Sequence, residues 1–83
     1  MPIETDIKSQ ILIIGGRPDQ PDLLKGATKL KALAYTDLMC DKLANKLQDI
    51  ADQYGTGKTV SPGSIDTDKS VNDCITMTGG QAS

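Results

Sequence analysis

The stretch Pro21–Tyr54, PDLLKGATKLKALAYTDLMCDKLANKLQDIADQY, decides how the chain is read. After Pro21 no proline interrupts it, and Gly26 is its one weak point, costing about 1 kcal/mol relative to alanine in a helix. Apolar residues recur at helical spacing: Leu23, Ala27, Leu30, Leu33, Ala34 and Leu38, then Met39, Leu43, Leu47, Ile50, Ala51 and Tyr54. Asp19 or Gln20 stands at the expected cap, Pro21 suits the first turn, and Gly55 follows as a carboxyl-end stop. The pattern predicts one long amphipathic helix over about residues 21–54. At 1.5 Å per residue it would run roughly 50 Å. The heptad series Leu30, Leu33, Asp37, Cys40, Ala44, Leu47, Ala51, Tyr54 is interrupted by Asp37, which weakens a regular coiled-coil reading.

Charge runs against the dipole of such a helix. Lys25, Lys29 and Lys31 fall in its early turns and Asp49 and Asp52 in its last. An antiparallel partner helix would bring the acidic end of one against the basic end of the other.

Ahead of this stretch, Ile3, Ile7, Ile11 and Ile14 fall on one helical face. Pro2, Glu4 and Asp6 suit the start of a helix and Gly15 its end. The β-branched run around Ile11–Ile14 leaves a short strand as the alternative. Residues 15–20, GGRPDQ, read as a loop. Behind the stretch, residues 55–83 are rich in Gly, Ser, Thr and Asp, with isolated Val60, Ile65, Val71, Ile75 and Met77. They read as an extended or disordered arm, with one short strand at most, over residues 74–78. The expected fold class is therefore mainly α: a helical hairpin domain over 1–54 and an arm over 55–83.

The chain has 83 residues, two tyrosines and no Phe, Trp or His, so a core must come from Leu, Ile, Val, Ala and Met. So small a domain buries limited surface, and without large aromatics it lacks the usual anchors. Part of the stabilising burial is expected from another copy or another protein. Net charge is −2, spread evenly, which argues against nucleic acid as the main partner because phosphate binding needs a basic stripe. The longest apolar run, residues 11–14, is too short to span a bilayer. The acidic start does not resemble a signal peptide. The expected location is the cytoplasm, or a particle assembled there. Cys40 and Cys74 match no metal spacing, and no histidine completes a zinc site. A disulfide between them requires the arm to fold back.

No catalytic constellation emerges. Gly55-Thr56-Gly57-Lys58-Thr59 resembles the end of a phosphate-binding loop, but Asp52 stands at the first glycine position. A helix precedes it where a strand is needed, and Val60-Ser61-Pro62-Gly63 follows where a helix should begin. Ile13-Ile14-Gly15-Gly16 lacks the third glycine and second βαβ unit of a dinucleotide site. Asp66, Asp68 and Ser70 begin a calcium-loop spacing that fails at Val71 and Met77. No cofactor, metal or catalytic residue is assigned.

The functional expectation is a non-enzymatic structural subunit of a multi-copy assembly, with a bacteriophage or other viral particle as the setting. It would pack through the long helix and the extended ends, with Leu30, Leu33, Leu38, Met39, Leu43, Leu47, Ile50 and Tyr54 as interface residues. The alternative is a small regulatory binding module, an inhibitor or adaptor. It would engage one partner through the same apolar face.

Overall fold

The computed structural model describes residues 3–17 and 20–81. Pro2, Pro18 and Asp19, assigned above to a helix start, a loop and a helix cap, lie outside the described residues. The chain folds into α1 (Ile3–Ile14), α2 (Asp37–Tyr54) and α3 (Val71–Thr78), with 3₁₀ turns at Pro21–Leu23, Leu30–Leu33 and Pro62–Ser64. Its extents are 30 × 26 × 19 Å, which leave no room for a 50 Å helix.

The N-terminal segment is the helix rather than the strand. Ile7 and Ile11 are fully buried and Leu12 nearly so, with Ile3 and Ile14 packed against the same core. Glu4 and Asp6 occupy the first turn, where the dipole favours them. The helix closes at Gly15 and Gly16, whose amides donate to the carbonyls of Ile11 and Ile13 at 3.1 Å each. A side chain at Gly15 would come within 3.2 Å of the Tyr35 ring. That gap lets the buried Tyr35 hydroxyl donate to the Ile11 carbonyl.

The expected 21–54 helix is corrected: only Asp37–Tyr54 is α-helical. Residues 26–31 instead run beside 67–72 and share four backbone bonds with them. Leu30 and Lys31 donate to the carbonyls of Lys69 and Thr67, while Val71 and Asn72 donate to those of Thr28 and Gly26, all at 2.9 Å. Lys29 and Ser70 form an antiparallel bridge. Leu30–Leu33 then makes a 3₁₀ turn that ends on Ala34 in the left-handed region (φ 61°). Three residues per turn put Leu30 and Leu33 on one side just as an α-helix would, so apolar spacing alone could not separate the two. Thr36 caps α2, its hydroxyl accepting from the Met39 amide at 3.3 Å.

This start changes the charge reading. Lys25, Lys29 and Lys31 precede α2, whose own first turn holds Asp37, a favourable position. Only Asp49 and Asp52 still oppose its dipole. The Lys-rich end that an antiparallel partner helix was to meet is not part of the helix.

On α2, Cys40, Leu43, Ala44, Leu47, Ile50 and Ala51 face the core, and Gly55 ends the helix in the left-handed region (φ 65°). The return is pinned by Gln48. Its Oε1 accepts from the Val60 amide at 2.8 Å and its Nε2 donates to the Lys58 carbonyl at 3.3 Å.

The expected C-terminal arm is also corrected. Val60, Ile65, Val71, Cys74 and Ile75 are all buried in the common core. Ser70 and Asp73 form a reciprocal cap at the start of α3: the Ser70 hydroxyl accepts from the Asp73 amide at 3.1 Å, and the Asp73 carboxylate from the Ser70 amide at 3.0 Å. These bonds hold the Asp73 carboxyl below its ordinary range. Residues 74–78, the one strand considered, are helical. At the far end the Gln81 amide donates to the Glu4 carboxylate at 3.2 Å, which sets the two described ends of the chain side by side.

Candidate functional site

With the core closed, the large apolar side chains left in solvent among the described residues are Ile13 (65% exposed), Leu23 (72%), Leu38 (65%) and Tyr54 (36%). Tyr54 is engaged at its polar end, its hydroxyl donating to the Asp6 carboxylate. Leu23 belongs to a region where the surface is concave. Leu12 from α1, Leu23 and Leu24 from the turn at Pro21, and Leu33 from the second 3₁₀ turn line a groove of about 270 Å³, open to solvent.

Each lining residue is there for a local reason. Leu12 lies off the Ile7–Ile11 line, at the edge of the buried face of α1, with Ile13 next to it outside. Pro21 fixes the start of a single 3₁₀ turn, and Leu24 leaves it in an extended conformation (φ −80°, ψ 116°). The adjacent leucines therefore diverge: Leu24 is buried and Leu23 stands out. Leu33 is held by its turn, which Ala34 terminates. Around the groove, Arg17 has its amide on the Leu12 carbonyl at 2.9 Å. Lys25 and Asp22, the chain neighbours of Leu24 and Leu23, are exposed.

Among the described residues, the lining carries no polar side chain to orient a substrate. A volume of about 270 Å³ also lies just below the range of small-molecule sites, roughly 300–1,000 Å³.

The residues expected to form an interface divide. Leu30, Leu33, Leu43, Leu47 and Ile50 are buried in the chain's own core, and Met39 is half-buried against it. Their spacing recorded burial in the chain's own core. Leu38 and Tyr54 reach the surface, and Leu33 also lines the groove. Leu12, Leu23 and Leu24 were missed as site residues. The available signal was the Leu23–Leu24 pair one residue after Pro21, two large apolar side chains beside a residue that starts a turn.

The chemical motifs resolve into structure. Gly55 caps α2, and the Thr56 hydroxyl donates to the Thr78 carbonyl at 2.7 Å. No helix begins after Thr59 to present amides to a phosphate. The Asp66 carboxylate accepts from the Asp68 amide at 2.9 Å, and Asp68 pairs with Lys31 at 3.2 Å on the surface. Among the described residues, no group of three acidic or thiol side chains is placed to hold a metal. No helix among them is long and apolar enough to cross a membrane.

The arm does fold back, and both cysteines are buried free thiols. Burial, with Asp73 and Cys40 adding to it, pushes the Cys74 thiol up to about 12. Burial and then Asp37 push Cys40 up as well. Thiols held protonated in this way are poor nucleophiles at neutral pH. Comparison of the chain with protein-family models, curated proteins and solved structures finds no match.

Proposed function

We propose that the chain is a non-enzymatic structural subunit that works by packing against other protein molecules in a multi-copy assembly. Its docking element is the leucine groove, in place of a long exposed helix. The observation that carries this reading is the groove itself, open to solvent and lined among the described residues by four leucines, of which Leu23 is largely exposed. Leaving apolar surface uncovered forgoes about 25 cal/mol per Å², and a chain with so little apolar material gains by covering it. The exposed Ile13 and Leu38 extend the surface that association would remove from water.

Light scattering on the purified chain, from micromolar to millimolar concentration, tests this directly. The expected result is a mass that rises with concentration and persists in high salt, since the contact is mainly apolar. A monomer throughout that range would overturn the multi-copy reading. It would leave the regulatory module, in which the same groove takes a segment of one different protein.

A further inference from the structure

We draw no further inference here: the strongest candidate, the open leucine groove between α1 and the 3₁₀ turns at Pro21–Leu23 and Leu30–Leu33, belongs to the site already described, and nothing in the structure shows what covers it.

Discussion

Ile75 offers a direct measure of how far the C-terminal third belongs to the fold. It is 2% exposed on α3, in one core with Ile7, Leu43 and Leu47. Truncating a buried isoleucine to alanine costs about 2–5 kcal/mol, the lost transfer energy plus the residual cavity. A domain of 83 residues has about 4–12 kcal/mol in total at roughly 0.05–0.15 kcal/mol per residue. Ile75→Ala should therefore remove a large share of the stability and lower the melting temperature by roughly 10 °C or more. Thr76, the next residue, is exposed, and Thr76→Ala should stay within about 0.5 kcal/mol. Urea and thermal unfolding followed by helical circular dichroism read both variants. If Ile75→Ala and Thr76→Ala unfold alike, residues 71–78 do not pack as described, and the arm is an appendage after all.

Two further outcomes follow from the same packing. A side chain added at Gly26 would sit 2.1 Å from Asn72 Oδ1, so Gly26→Ala should destabilise by about 1–2 kcal/mol and Gly26→Ala/Asn72→Ala by less than the sum of the single changes; additive urea midpoints would refute the contact. The Cys74 proton is held to about pH 12 in the folded chain against 9.0 for the free thiol. Folding then binds the proton more tightly, so stability is level below pH 9.0 and falls between 9.0 and about 12, by up to about 1.4 kcal/mol per pH unit. The Cys74→Ala chain should lose stability less steeply in that window, with Tyr35 and Cys40, also raised by burial, supplying the remainder.

The helical class and α1 were legible because Ile3, Ile7, Ile11 and Ile14 sit on one face between a suitable start and a glycine stop. The second half of the long stretch was legible too, since Leu43, Leu47 and Ile50 are where their spacing puts them. Its first half was not. Residues 26–31 owe their shape to residues 67–72, some forty positions away in the chain, and no local pattern encodes a partner at that distance. The break itself had a local sign in Thr36, a good cap, but the leucine period ran through it unbroken. Ser70 and Asp73 gave an equally local sign for α3, hidden because the helix they begin is only 8 residues long. The groove was the least legible element. It exists only where Leu12 meets Leu23, Leu24 and Leu33, and that meeting depends on the misread segment.

The bond from the Gln81 amide to Glu4 has an architectural consequence. With Glu4 and Gln81 side by side, the segment between them can be inserted into a surface loop of a host protein without parting the host's strands or helices. It can also be circularly permuted, its old ends joined by a short linker and new ones opened in the exposed 57–59 stretch. Such a permutant would keep the sequences of α1, α2 and α3 unbroken while moving the attachment point for any fused label to the 57–59 stretch. The groove could then be followed without a tag beside Glu4 and Gln81.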